Sequence, residues 1–226
     1  MAGVTASSLR DFATTAGDSV HLGGYHQKPK RVNPKALPMT TMTSPSPVQT
    51  YTPDDLLAMA DAVEYELVDG HLVERNVSIE SSGVALQIGT LLNIEAKRTG
   101  LASVYGPDLG YQSFAKHPNR IRKPDVSVVR KDRLKELQLN RGYMPIPADL
   151  AVEVVSPNDS YYEVAQKVAE YLEAGFGMVW VVDPNLKTVR IERAGGAITL
   201  LHENDGITAE PVLPEFRCKV GEFFKP

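Results

Sequence analysis

Apolar residues in this chain are spaced in two rhythms, and the switches between them outline a fold before any chemistry is considered. The first 50 residues follow neither rhythm: Ser, Thr, Pro, Gly and Ala dominate, with too little apolar surface to fold alone. They read as a disordered arm, residues 1–50, ahead of a folded domain over residues 51–226. Met39 and Met42 lie just before that domain and offer alternative translation starts, leaving open whether residues 1–38 belong to the natural protein. Thr52-Pro53-Asp54-Asp55 carries the chemistry of a cap and first turn, predicting a short helix through about Ala62. From Tyr65 to Arg75 two short apolar runs flank Asp69-Gly70, a strong hairpin signal. Val84, Ile88, Leu91 and Leu92 recur at helical spacing and predict an amphipathic helix ending near Gly100.

Strands are predicted at 102–105, 109–114 and 124–130. Leu150-Ala151-Val152-Glu153-Val154-Val155 is apolar on both sides of its acid, as in a strand covered on both faces. Residues 159–174 read as a helix with Val164, Val168, Tyr171 and Leu172 on one face and Gly175 as its stop. Met178-Val179-Trp180-Val181-Val182 is another buried strand. Thr188 to Arg193 alternates, a further strand lies near 197–201, and Phe216, Phe223 and Phe224 pack the tail. No internal repeat is visible. The expected fold is α/β, a mixed sheet flanked by helices.

The bulk numbers narrow the class. At 226 residues with 42% hydrophobic and 23% charged side chains, the composition is that of a globular protein. No run approaches the roughly 18 apolar residues of a membrane helix, so no membrane association is expected. No secretory apolar core opens the chain, so the expected compartment is the cytoplasm. Cys218 stands alone, which excludes an intramolecular disulfide, and the five histidines are scattered. The net charge of −4 is unevenly spread: residues 1–48 carry net +3, leaving −7 for the remainder. Within that acidic remainder, residues 116–135 hold eight Lys/Arg against two acids, Asp125 and Asp132. This basic window reads either as a docking face for a polyanion or as a solvated loop and strand edge.

Two acids and a lysine carry the candidate chemistry. Asp125 opens the apolar part of one strand, Glu153 lies inside another, and Lys167 falls on the next helix. A carboxylate within a hydrophobic strand costs several kcal/mol unless it is paired or binds a cation. Two carboxylates on adjacent strand ends suffice for Mg²⁺ (or Mn²⁺), which keeps several waters, and the Val154 backbone carbonyl offers a third protein oxygen. Such a cation activates water for phosphodiester hydrolysis, and a nearby lysine orients that water and offsets the developing charge.

The ordered series Pro124-Asp125, Glu153-Val-Val-Ser-Pro157, Lys167-Val-Ala-Glu-Tyr171, Gly175 and Val179-Trp180-Val-Val-Asp183-Pro184 resembles the Uma-type putative restriction endonuclease family. That family belongs to the PD-(D/E)XK nuclease superfamily. The resemblance extends upstream to Tyr65-Glu66-Leu67-Val68-Asp69-Gly70, covering roughly residues 51–224. It implies a restriction-endonuclease-like fold, a Mg²⁺-dependent DNA endonuclease, Asp125 and Glu153 as metal ligands, and Glu66 as a further remote carboxylate. It also implies a homodimer pairing two sites across a duplex. Three departures stand out. Val155 fills the superfamily's usual lysine slot, and Lys167 matches the family's displaced lysine. Glu163 replaces an Asp four residues before that lysine. Ser81-Ser82-Gly83 stands where a histidine often opens the family's long helix.

Each residue also has a purely structural reading. Asp125 could cap a turn, Glu153 could form a non-catalytic ion pair with Lys167, and Lys167 could pair with Glu163 on an exposed helix face. Glu66 could be a solvent-facing hairpin residue. Trp180 and Tyr171 read as core, and Ser156 and Asn158 as turn residues. Two rival functions remain: a catalytically silent nuclease fold that binds nucleic acid or protein, motivated by Val155 and the net charge, and a hydrolase of another phosphodiester such as RNA.

Overall fold

The computed structural model describes residues 49–137 and 142–225; the expected arm, apart from its last two residues, lies outside them. After helix α1 (Pro53–Ala58) comes the hairpin β1 (Tyr65–Val68) and β2 (His71–Glu74). Helix α2 (Ile79–Thr99) leads to β3 (Ala102–Tyr105), β4 (Val126–Arg130) and a single turn, α3 (Lys131–Leu134). Then follow β5 (Leu150–Val154), α4 (Tyr161–Glu173), β6 (Met178–Asp183), β7 (Thr188–Arg193) and β8 (Ile198–His202). A closing hairpin, β9 (Gly206–Ala209) and β10 (Leu213–Lys219), completes the order.

Strands β3 to β8 form one sheet in sequence order, antiparallel except for the parallel β5–β6 pair, so the expected mixed sheet is present. Parallel neighbours cannot be joined by a tight turn, and α4 supplies the crossover. Pleat alternation then sorts the side chains. Val126, Val128, Leu150, Val152, Val154, Met178 and Trp180 join one apolar cluster with Ile88 and Leu92 of α2 and with Phe216 and Phe223. Val129, Ala151, Val179 and Val181 point to the other face, toward Val168 and Tyr171 of α4. Glu153 shares that second face because it lies two residues from Ala151.

Local chemistry explains the main boundaries. Asp69 and Gly70 both have positive φ, 49° and 88°, the primed-turn geometry that matches strand twist and that an Asp-Gly pair tolerates. Ser160 and Glu163 form a capping box at the start of α4, and Gly175, φ 91°, lies just past its end.

Two expectations differ. The first helix ends at Ala58, and a short 3-10 turn at Ala62–Glu64 carries the chain into β1. The strand expected at 109–114 reduces to bridges of Tyr111 with Arg122 and Met144. There Gly110 packs against the Tyr143 ring and Ile121, where a Cβ would have no room. The tail packs through Phe216, Phe223 and Phe224 as expected, and it also forms a hairpin, β9–β10. Among the described residues no helix is long and apolar enough to cross a membrane.

Candidate functional site

The β4–β5 register pairs Val126 with Val152, and one step further brings Asp125 opposite Glu153. Asp125 Oδ2 accepts the Val154 backbone N–H at 2.8 Å, tying the two strand ends together. On the helix above, Lys167 and Tyr171 are four residues apart and share a face. Each reaches a different oxygen of Glu153: Lys167 Nζ donates to Oε2 at 3.0 Å and the Tyr171 hydroxyl to Oε1 at 2.7 Å. The three residues singled out in sequence therefore meet at one place, and they line a cavity of about 270 Å³ with Val154 and Glu66.

Glu66 is buried, not a solvent-facing hairpin residue. It lies 3.3 Å from Lys167 Nζ, accepts from Arg122 Nη1 at 2.8 Å and from the Lys123 backbone N–H at 2.7 Å. Lys167 does not pair with Glu163, whose carboxylate closes the helix cap on Ser160. Glu163 thus holds the end of the helix that carries the lysine.

The basic window divides between interior and surface, with Lys116, Lys131 and Lys135 exposed as a solvated loop and strand edge would have them. Arg120, Arg122 and Lys123 are buried. Arg122 bonds Glu66 and, through Nε at 2.7 Å, Glu170. Arg120 pairs with Asp69 at 2.7 Å, and Lys123 Nζ donates to the Ala62 carbonyl. Lys116, Arg130 and Arg133 are paired with Glu173, Asp132 and Asp149. Arg120, Arg122 and Lys116 meet acids about fifty residues away, which is why a count of charges along the chain does not reveal their fate.

The charges are unequally balanced. Burial pushes the Glu153 carboxyl up to about 7, with Asp125 and Glu66 adding to the shift against Lys167 and the Tyr171 hydroxyl. Burial also raises Asp125, against the Val154 N–H, Lys167 and Arg75. Glu66 moves the other way: Lys167, Arg122 and the Lys123 N–H overcome its burial and hold it below the ordinary range. Burial works to lower Lys167, yet Glu153, Glu66 and Asp125 together keep its proton on far above neutrality. One ammonium shared by three carboxylates gains from all of them, while each carboxylate receives only a share.

This donor set fits a hard cation. Asp125 and Glu153 sit at adjacent strand ends with charge that protein groups do not fully offset, and the Val154 carbonyl belongs to the next residue of the strand. Among the described residues no group of three or more His, Cys, Asp or Glu could hold a metal, so a cation here would retain several waters, as Mg²⁺ does.

Sequence reasoning missed Arg75, Arg122, Glu170 and the hydroxyl of Tyr171. Tyr171 had a signal, its i+4 relation to Lys167. Arg75, whose Nη2 lies 3.2 Å from Asp125 Oδ1, had none, because only the hairpin brings it there.

The fold is similar to the crystal structure of a putative nuclease belonging to DUF820 from Anabaena variabilis ATCC 29413. The TM-score is 0.64 at 19% identity, covering 77% of this chain and 97% of that one, and at such identity the likeness concerns the fold alone. No curated relative matches. Residues 53–221 match the family Uma2, described as putative restriction endonuclease, and over that span, which includes every residue of the site, the chain belongs to the Uma2 family.

Proposed function

We propose that the protein is a Mg²⁺- or Mn²⁺-dependent DNA endonuclease of the PD-(D/E)XK type. One observation carries the reading: Lys167 Nζ lies 3.0 Å from Glu153, whose partner across the β4–β5 register is Asp125. Membership of a family described as putative restriction endonuclease supports a nucleic acid as substrate. Asp125 and Glu153, with the Val154 carbonyl, hold the cation, while Glu66, already engaged by Arg122 and Lys167, serves as a counter-ion rather than a ligand. The cation, when bound, polarises the phosphoryl oxygen and acidifies a water.

The chain's own groups do the rest. Lys167 keeps its proton at neutral pH and so acts as a fixed positive charge, not a base. It orients the attacking water and offsets charge on the phosphate as the water oxygen bonds phosphorus and the 3′ or 5′ oxygen leaves. Tyr171 holds the Glu153 carboxylate in one orientation. With one such centre among the described residues, cutting both strands calls for two copies, and a homodimer across the duplex is the expected assembly.

The test is nicking of supercoiled plasmid with Mg²⁺ or Mn²⁺ by wild type, Asp125→Ala and Lys167→Ala. Loss in both variants and on chelation supports the reading. Loss in Asp125→Ala alone keeps the metal site and removes Lys167 from the chemistry. Absence of cleavage by wild type on duplex, single-stranded and branched DNA sinks it. A second reading, a catalytically silent nuclease fold that binds nucleic acid or protein, draws on Val155 in the usual lysine slot and the ion-paired basic window. DNA binding that survives chelation, with no metal taken up, favours it.

A further inference from the structure

Arg75 follows β2, and its side chain stands between two cavities. One is the candidate site; the other, of about 430 Å³, lies on the α2 side of the sheet. Its walls include Ser82, Leu86, Asn93, Val104, Pro107 and Val126, while Arg75 and Asp125 line both spaces. The Arg75 side chain is 11% exposed, yet among the described residues it makes one side-chain hydrogen bond, a single nitrogen on a single Asp125 oxygen at 3.2 Å. A guanidinium has five N–H donors in a planar fork. None of those of Arg75 is both sealed from solvent and without a partner, so the remaining donors reach the open space of the cavities. Arg122, more deeply buried, spends its fork on Glu66 and Glu170. Arg75 is the half-buried cation of this site that the protein leaves underused.

We propose that Arg75 is a substrate-binding residue that takes the DNA phosphate next to the scissile one, with the adjoining nucleoside entering the 430 Å³ cavity. This rests on the nuclease reading of the neighbouring site. A phosphate presents paired oxygens to a guanidinium fork, a match that a lysine cannot reproduce. The cavity beyond, aliphatic through Leu86, Val104 and Pro107 with the polar groups of Ser82 and Asn93, suits a nucleoside, which offers apolar faces and a few polar edges.

The experiment measures anisotropy of a short labelled single-stranded DNA, with Ca²⁺ in place of the catalytic metal, on wild type, Arg75→Ala and Arg75→Lys. It is repeated with oligonucleotides in which each phosphate in turn is a neutral methylphosphonate. Arg75→Ala is expected to weaken binding about ten- to a hundredfold, and Arg75→Lys, which keeps the charge beside Asp125, to recover only part. Neutralising one particular phosphate should cost the wild type affinity and cost Arg75→Ala nothing. Unchanged affinity in Arg75→Ala, the same methylphosphonate penalty in both proteins at every position, or no binding by wild type overturns the proposal. Should Arg75→Ala not fold, the same comparison with Arg75→Lys decides. Cleavage of the same strands with Mn²⁺ separates the two claims. Binding with the single-phosphate signature but no cutting of these strands, of duplex or of branched DNA ends the nuclease reading, whereas cutting without that signature ends the role of Arg75.

Discussion

Two groups of buried charge meet at Lys167, and they behave in opposite ways. Around Arg122, two carboxylates, Glu66 and Glu170, face a guanidinium that bonds both, and Glu66 is held below the ordinary carboxylate range. Around Asp125 and Glu153 the same lysine is the main cation within reach, and both acids are pushed up by burial that their partners do not overcome. The first group is satisfied by the protein itself and holds the hairpin to the helix. The second is left short of positive charge, which is the electrostatic condition for recruiting a cation. Similar burial of Glu66 and Glu153 with unequal compensation is what separates a structural ion-pair cluster from a candidate active site.

The largest effect should come from breaking the satisfied group. Arg122→Ala leaves Glu66 and Glu170 buried without their guanidinium and should cost about 3–5 kcal/mol in urea unfolding. Adding Glu66→Gln and Glu170→Gln should return a substantial part of that loss. Lys167→Ala strikes the shared cation: plasmid nicking should fall about 10²–10³-fold, comparable to losing one stabilising donor elsewhere, with a smaller stability loss than Arg122→Ala.

Titration sharpens the contrast. Carboxyl carbon NMR of the metal-free protein should find Glu153 near 7 and Glu66 below its usual 4.5, although they share one lysine. The signs follow. Glu66, depressed on folding, stabilises the protein above its unfolded value and loses that contribution as pH falls through the acid range. Glu153, raised on folding, binds a proton where a metal would sit, so Mn²⁺ affinity by calorimetry should weaken as pH drops below about 7, by at most roughly tenfold per pH unit. Coincident titration of the two acids would dissolve the distinction drawn here. The smallest effect is expected from Tyr171→Phe, which removes a bond to Glu153 Oε1 for about 1 kcal/mol. Since that hydroxyl lowers the Glu153 value, its loss should move the pH break in Mn²⁺ affinity upward.

Much of the fold was readable along the chain because it rests on local rules. The Asp-Gly turn, the Ser160 cap and Gly175 stop, and the apolar runs of β5 and β6 each appear where composition and period place them. The loop around Tyr111 and the closing β9–β10 hairpin did not follow local rules. The first is held by bridges to Arg122 and Met144, and the second is a short-range hairpin whose register shifts between Leu213 and Arg217, so no regular alternation marks it. The order acid, acid, lysine was likewise legible, as was the conflict of an acid inside an apolar strand. The burial of Glu66 and the capture of Arg120 and Arg122 by acids about fifty residues away were not.

By itself, then, the sequence determined which elements form, that Glu153 needs a partner, and which residue types stand ready to supply one, since these depend on period, propensity and the cost of burying charge. Only the tertiary structure decided how the charges are shared: that Lys167 serves three carboxylates, that Arg122 saturates Glu66, and that Arg75 stands beside Asp125 with donors to spare. Electrostatic compensation falls off with distance in space, not along the chain, so it is settled only when the hairpin, the two strand ends and α4 come together.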